Sequence, residues 1–139
     1  MTTEKHTALE AVRSFLGSYA KRDVEGCMAA ISASRPVFIF GTNDNEVFST
    51  LDDLRTAFTR DFATMSNIRW GKERHVHVEA AETLASVIIE LSISFQSEGE
   101  EVDTLFRYAL TLNKEGGQWE ICSGMASVPF ASGTYTFAQ

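Results

Sequence analysis

The sequence predicts an α+β fold in which helices come first and an antiparallel sheet follows. Up to about residue 65, apolar residues recur at the three- and four-residue spacing of helices. From residue 67 onward they alternate with polar residues, at the two-residue period of strands. Short turns divide this second half into strand-length segments. Helices followed by a run of hairpin-connected strands are typical of α+β folds rather than of alternating α/β folds.

Three helices are predicted in the N-terminal half. The first has an apolar stripe along one face, formed by Ala8, Val12, Phe15, Leu16 and Tyr19. Thr7 and Glu10 form a capping box that would begin it. A shorter second helix is expected from Asp23, and a third from Thr50, which with Asp53 forms another capping box. Between the second and third helices, the segments RPVFIFGT and EVFS predict a short hairpin.

Four long strands are predicted in the second half, over residues 67–80, 82–96, 101–113 and 118–128. A turn centred on residues 98–99 would place Ile89 opposite Tyr108. This register puts apolar side chains on one common face, and a slip of one residue would remove that agreement.

The next hairpin extends the same apolar face. A turn centred on residues 115–116 would place Leu112 opposite Trp119 and Phe106 opposite Met125. The other face of the sheet would then collect polar side chains, namely Glu90, Ser92, Ser94, Arg107, Thr111 and Glu120. On that face Glu90 and Arg107 lie opposite each other, which predicts a cross-strand ion pair.

The charge and hydropathy of the chain argue against nucleic acid and membranes as partners. Its 139 residues include 12 basic and 19 acidic side chains, for a formal net charge of -7, which repels phosphate groups. No apolar run approaches the roughly 18 residues of a spanning helix. The N-terminus lacks the basic start and apolar core of a secretory signal. Cys27 and Cys122 form no disulfide framework, so we expect free thiols in a reducing cytoplasm.

Two polar features resemble metal sites only superficially. The tip over residues 43–46 lacks the Gly and the distant Glu of a calcium loop, and its Asn and Asp residues favour a plain turn. His75 and His77 lie one strand period apart and point to the same polar face, with no third histidine nearby. They are interpreted as surface or interface histidines. No metal and no cofactor is therefore expected.

Three segments of the sequence resemble one known family. YAKRDVEG resembles its first helix end, acidic turn and second helix, and FGTNDNEVFSTLDDLRTAF resembles its strand, polar turn, short strand and helix. GGQWEICSGMASVP is similar to its last strand. Together they resemble the SnoaL-like branch of the NTF2-like superfamily over residues 8–129. The resemblance implies a cone-shaped domain, in which a strongly curved antiparallel sheet is covered on its concave face by three N-terminal helices. We expect a single domain over residues 1–139, with a short tail over residues 130–139.

The resemblance also implies an apolar pocket inside the cone. With the register above, it would be lined by Phe15, Tyr19, Phe38, Trp70, Phe106, Tyr108 and Met125. Ketosteroid isomerases, one branch of the superfamily, use a tyrosine, a base and a second acid in this pocket. The matching positions here hold Phe15, Phe38 and Tyr108, so those catalytic groups are absent. Whether the protein is an enzyme stays open.

Three functions are compatible with these patterns. The first is binding of a hydrophobic or aromatic small molecule in the pocket, with ligand and reaction unspecified. The second is a structural or association module, a homodimer that forms through the outer face of the sheet; the resemblance implies a homodimer in either case. The third is an isomerase, dehydratase or hydrolase that uses Asp103, Arg107 or Glu90, although the register directs these three side chains outward.

Overall fold

Three helices form the N-terminal half of the structure, a computed structural model that describes residues 2–135. They are α1 (Thr3–Ala20), α2 (Val24–Ala29) and α3 (Leu51–Thr64). Each helix follows a residue whose side chain accepts a hydrogen bond from the first turn, respectively Thr2, Asp23 and Thr50. At α3 the Asp53 side chain also accepts from the Thr50 backbone, so the capping box predicted there is confirmed.

Six strands form one mixed sheet in the order β2-β1-β6-β5-β4-β3. They are β1 (Phe38–Phe40), β2 (Val47–Phe48), β3 (Ser66–Ala80), β4 (Leu84–Ser97), β5 (Glu100–Glu115) and β6 (Gln118–Ser127). All neighbouring strands are antiparallel except β1 and β6, which run parallel. The four long strands form the predicted meander, and the α+β cone is confirmed. The parallel pairing of the short β1 makes the sheet mixed rather than wholly antiparallel.

The first helix begins earlier than predicted. Thr2 is its N-cap, and its hydroxyl accepts a hydrogen bond from the first turn at 3.3 Å. Glu4 in that turn has the charge that a helix N-terminus favours. The predicted capping box of Thr7 and Glu10 is therefore wrong. Thr7 lies inside α1, where its hydroxyl accepts a hydrogen bond from the indole Nε1 of Trp119 at 3.0 Å, which joins the helix to β6.

The hairpin between β4 and β5 has the predicted register. Ser97 pairs with Glu100 across the turn, and Ile89 lies opposite Tyr108. On the other face Glu90 lies opposite Arg107, whose Nε donates to Glu90 Oε2 at 2.6 Å. Both the inward pair and the outward ion pair are confirmed.

The hairpin between β5 and β6 is shifted, and the predicted register is wrong. The turn lies on Gly116 and Gly117, whose φ angles of +57° and +82° are conformations that glycine adopts without strain. Leu112 therefore pairs with Ile121, and Trp119 lies opposite Lys114. The turn centre therefore lies one residue further along the chain than the predicted centre over residues 115–116.

A β-bulge then reverses the direction of the side chains on β6. The register shifts after the pair of Leu112 and Ile121, so that Met125 lies opposite Ala109 on the outer face. Ala126 takes the inward position opposite Tyr108. Met125 is 47% exposed, so the prediction that it faces the concave side is wrong. A bulge changes which face each following residue occupies, and alternation alone did not reveal it.

The concave face of the sheet packs against α1 and α3 to form the core. Buried apolar side chains of both helices, among them Val12 and Phe58, meet inward residues of the long strands such as Ile89 and Leu112. Further register shifts occur along β3, and bulges of this kind bend strands. The curvature leaves a cavity where the helices and the sheet separate.

Candidate ligand pocket

A cavity of about 320 Å³ lies between α1, α3 and the concave face of the sheet. Its wall is mostly apolar and aromatic, and it includes residues of the β1–β2 hairpin and of α3. Five of the seven predicted pocket residues lie on this wall: Phe15, Tyr19, Trp70, Phe106 and Tyr108. They come from α1, β3 and β5, so the predicted faces of these three elements meet in the cavity.

Phe38 and Met125, the other two predicted pocket residues, do not lie on the wall. Phe38 is 48% exposed, and its ring packs against Phe40 with centroids 5.2 Å apart. Its neighbour Ile39 lines the cavity instead, because β1 pairs with the strand segment that follows the bulge, with Ile39 opposite Gly124. The bulge in β6 accounts for the outward Met125, whereas the prediction for Phe38 rested on the family resemblance.

The five aromatic side chains on the wall form a closed circuit. In the order Phe15, Tyr19, Trp70, Phe106, Tyr108 and back to Phe15, neighbouring ring centroids are between 4.9 and 6.3 Å apart. Tilted and edge-to-face pairs at such distances are favourable arrangements of aromatic rings. The indole Nε1 of Trp70 donates to the backbone oxygen of Leu16 at 2.8 Å, which fixes the largest ring of the circuit to α1.

Asp61 places a carboxylate on this wall, and the sequence analysis missed it. The Tyr19 hydroxyl donates to Asp61 Oδ2 at 2.8 Å. Burial raises the pKa of Asp61, while the Tyr19 hydrogen bond and nearby Arg60 lower it. A signal was present: Asp61 lies three residues after Phe58 and four before Met65, and so within the apolar stripe of α3.

Glu46 is the second carboxylate on the wall. The tip over residues 43–46 is a turn, as predicted, closed by a hydrogen bond from the Gly41 backbone to the Glu46 oxygen at 2.9 Å. The Glu46 side chain folds back, and its Oε1 accepts from the Asn43 backbone at 2.8 Å. Its Oε2 accepts from Arg60 Nη2 at 3.1 Å. Both carboxylate oxygens of Glu46 are therefore occupied by donors of the protein itself.

The Tyr108 hydroxyl supplies a free polar group inside the cavity. Within residues 2–135 no hydrogen bond joins it to another side chain or to the backbone. Burial raises the pKa of this phenol, and the nearby Asp61 charge raises it further. Tyr108 is therefore a neutral hydroxyl at ordinary pH, able to donate to or accept from a bound molecule.

The acids that the sequence suggested for catalysis lie on the outer face. Glu90 is paired with Arg107, and its Oε1 lies 3.7 Å from Arg74 and from His75. Hydrogen bonding to Arg107 lowers the pKa of Glu90 despite its burial. Asp103 accepts a hydrogen bond from Ser94 across the strands, also outside the cavity.

No metal site is formed within the described residues 2–135, where no three His, Cys, Asp or Glu side chains are grouped as ligands. His75 and His77 are both largely exposed on the outer face. Both cysteines are buried and free. None of the helices in this part of the chain combines the length and the hydropathy that crossing a membrane requires.

Comparison with solved structures defines the class of fold. A ketosteroid isomerase-like protein from Erwinia carotovora atroseptica is similar with a TM-score of 0.79 and 15% identity, over 94% of this chain and 100% of that one. A candidate dehydratase of the NTF2-like family from Streptomyces avermitilis is similar with a TM-score of 0.81 and 18% identity. The match covers 93% of this chain and 98% of that one. A protein from Xanthomonas campestris, assigned as a calcium/calmodulin-dependent protein kinase II association domain, is similar with a TM-score of 0.73 and 14% identity. The match covers 85% of this chain and 82% of that one. The fold is that of the NTF2-like superfamily.

The family follows from the sequence itself. The model of the SnoaL-like domain matches residues 8–131, nearly the whole chain. The protein belongs to the SnoaL-like family, as the three sequence segments indicated. No curated protein sequence matches the chain significantly. The family defines the fold and leaves the ligand and the reaction open.

Proposed function

We propose that the protein binds a hydrophobic or aromatic small molecule in the cavity between α1, α3 and the sheet. The closed aromatic circuit on the wall is the observation that carries this proposal. The cavity volume of about 320 Å³ lies within the range of small-molecule sites, which are mostly apolar with a few placed polar groups. Asp61 and the Tyr108 hydroxyl are such groups. Burying an aromatic ligand there would release water from an apolar wall.

A reaction in the cavity would need other catalytic residues than the three that the sequence suggested. Asp103, Arg107 and Glu90 face away from the cavity, so a molecule bound inside would not reach them. An isomerase, dehydratase or hydrolase of this fold would depend on Asp61 as its acid or base. We therefore keep catalysis as an alternative in which Asp61, rather than the outward acids, transfers the proton.

Binding of a neutral aromatic probe tests the proposal. We would titrate the protein with 1-naphthylmethanol and measure the heat of binding by isothermal titration calorimetry. Saturable binding is expected. Ala126→Phe would fill the cavity opposite Tyr108 and should abolish binding.

Ser127→Phe is the matched control, since Ser127 lies opposite the outward Arg107 one position further along β6. It should leave binding intact. Absence of saturable binding by the wild-type protein, or equal binding by Ala126→Phe, would contradict the proposal.

We also propose a homodimer that forms through the outer face of the sheet, because an apolar row crosses four strands there. Phe40, Met125, Ala109 and Ile88 lie opposite one another in succession on β1, β6, β5 and β4. Ile88 is 49% exposed and Phe40 44%, which is unusual for side chains of this size on a free surface. A twin chain would cover the row with its own copy.

Sedimentation velocity tests the dimer. The wild-type protein should sediment as a dimer at micromolar concentration, and Ile88→Glu should shift it to the monomer because two charges would meet across the interface. Glu79→Gln, on the exposed end of β3, is a control that should leave the dimer unchanged. A wild-type monomer would refute the proposal.

A cytoplasmic location likewise stays a proposal, supported by the two free thiols.

A further inference from the structure

We infer that the ligand of the cavity carries a basic amine, held by the Asp61 carboxylate beside the aromatic circuit. This inference rests on the proposed small-molecule site and specifies the chemistry of its ligand. It follows from three properties of the wall: the sign of its charges, the unfilled hydrogen-bonding capacity of Asp61, and the arrangement of the rings.

All charged side chains on the described part of the wall are acidic. They are Asp61 and Glu46, and neither lysine, arginine nor histidine lines the cavity within residues 2–135. Arg60 compensates part of this charge, but its guanidinium is directed to Glu46 and more than half of its side chain is exposed. An anionic ligand would meet like charge in a partly desolvated cavity, whereas a cation would meet opposite charge.

Asp61 has an oxygen that the protein does not satisfy. Its Oδ2 accepts from the Tyr19 hydroxyl at 2.8 Å, but its Oδ1 has only Arg60 Nε at 4.0 Å, beyond hydrogen-bond distance. Glu46 differs, because both of its oxygens already accept from Asn43 and Arg60. The carboxylate of Asp61 is therefore the group with capacity left for a charged donor of the ligand.

The aromatic circuit adds a second attraction for a cation. Aromatic rings are negative at their faces, and a ligand cation within about 6 Å of ring centroids is attracted to them. Tyr19 belongs to the circuit and also bonds Asp61, so the carboxylate adjoins the rings directly. Carboxylate and rings together favour an ammonium group attached to an apolar or aromatic body.

A matched pair of probes tests the inference. 1-Naphthylmethylamine is protonated at pH 7.5, and 1-naphthylmethanol has nearly the same shape without the charge. Charge-assisted hydrogen bonds contribute enough that we expect the amine to bind about 10- to 100-fold more tightly to the wild-type protein, measured by calorimetry.

The variants isolate the carboxylate. Asp61→Asn keeps an acceptor for Tyr19 and removes the charge, so the ratio of amine affinity to alcohol affinity should fall to about one. Asp52→Asn, an exposed acid on the first turn of the same helix, should change neither affinity. Thermal melting of each variant confirms that it is folded.

The possible outcomes separate the two proposals. Equal binding of amine and alcohol to the wild type would overturn the amine inference and leave the small-molecule site standing. A preference for the amine that persists in Asp61→Asn would overturn the role of the carboxylate. If neither probe bound at millimolar concentration, the small-molecule proposal and the amine inference would both fail.

Discussion

Removing one hydroxyl, in the variant Tyr19→Phe, tests the polar end of the cavity. The change deletes the 2.8 Å hydrogen bond from Tyr19 to Asp61 Oδ2 and leaves the ring in place. Hydrogen bonds to charged groups contribute about 1.5–3 kcal/mol to stability. Because the Asp61 side chain is 29% exposed, water can replace part of the bond, and we expect a loss near the lower limit, about 1.5 kcal/mol.

Urea unfolding at pH 7.5 measures this loss, and a double-mutant cycle assigns it to the pair. Tyr19→Phe, Asp61→Ala and the double variant should give a coupling energy of about 1 kcal/mol, because alanine leaves no acceptor for the Tyr19 hydroxyl. Tyr135→Phe, on an exposed residue, is the control and should not change stability. The Tyr19 hydrogen bond favours the carboxylate form, so its loss should also raise the pKa of Asp61, which NMR titration of the carboxyl carbon detects.

The sign of the pH dependence follows from the same contact. Burial raises the pKa of Asp61 in the folded state, so ionising it opposes folding, and stability gained from the neutral acid is lost as pH rises through that raised pKa. The Tyr19 bond offsets this cost only while Asp61 is ionised. The destabilisation by Tyr19→Phe should therefore be largest at neutral pH and shrink as pH falls below the Asp61 pKa. A variant as stable as the wild type at pH 7.5, with zero coupling, would refute the reasoning.

Three further predictions concern the scaffold. Gly17→Ala should stabilise the protein by about 1 kcal/mol in urea unfolding, because Gly17 lies inside α1 and an added methyl group meets open space; a loss of stability would contradict this. Gly124→Ala should cost about 3 kcal/mol, since its φ is +148° and the new methyl group would overlap the Ala109 oxygen; a variant of wild-type stability would contradict it. Arg107→Gln should raise the lowered pKa of Glu90, which NMR titration measures. The variant should also lose the stability that this ion pair gives the wild type above the ordinary Glu pKa, a contribution that the wild type itself loses as pH falls toward the lowered value. An unchanged Glu90 titration would show that the pair is not formed.

Local sequence signals predicted most of the fold. The capping box at Thr50 and Asp53 fixed the start of α3, and the alternation along β4 and β5 determined a register that placed Tyr108 inside. These signals act between residues close in the chain or across one tight turn. At the start of α1 the local signal at Thr7 and Glu10 misled the prediction, because Thr2 caps the helix five residues earlier.

The errors arose where one residue changes the face of a strand. The sequence does not reveal the bulge between β5 and β6, which directs Met125 outward and Ala126 inward. The three-residue β1 pairs with β6 beyond this bulge, with Ile39 opposite Gly124. Phe38 was placed inside by the family resemblance, and the pairing of β1 with β6 directs Ile39 inward instead. Asp61 was missed for another reason: a single acid in an apolar helix stripe has no motif, and its role became visible only when Tyr19 was seen to contact it.

The most direct test of the small-molecule proposal is a crystal structure of the protein grown with 1-naphthylmethanol. We expect density for one naphthalene ring in the cavity, packed against the circuit of Phe15, Tyr19, Trp70, Phe106 and Tyr108, with the alcohol within hydrogen-bond distance of Asp61 or the Tyr108 hydroxyl. A cavity closed by these side chains, with the probe absent or bound only on the outer face of the sheet, would contradict it.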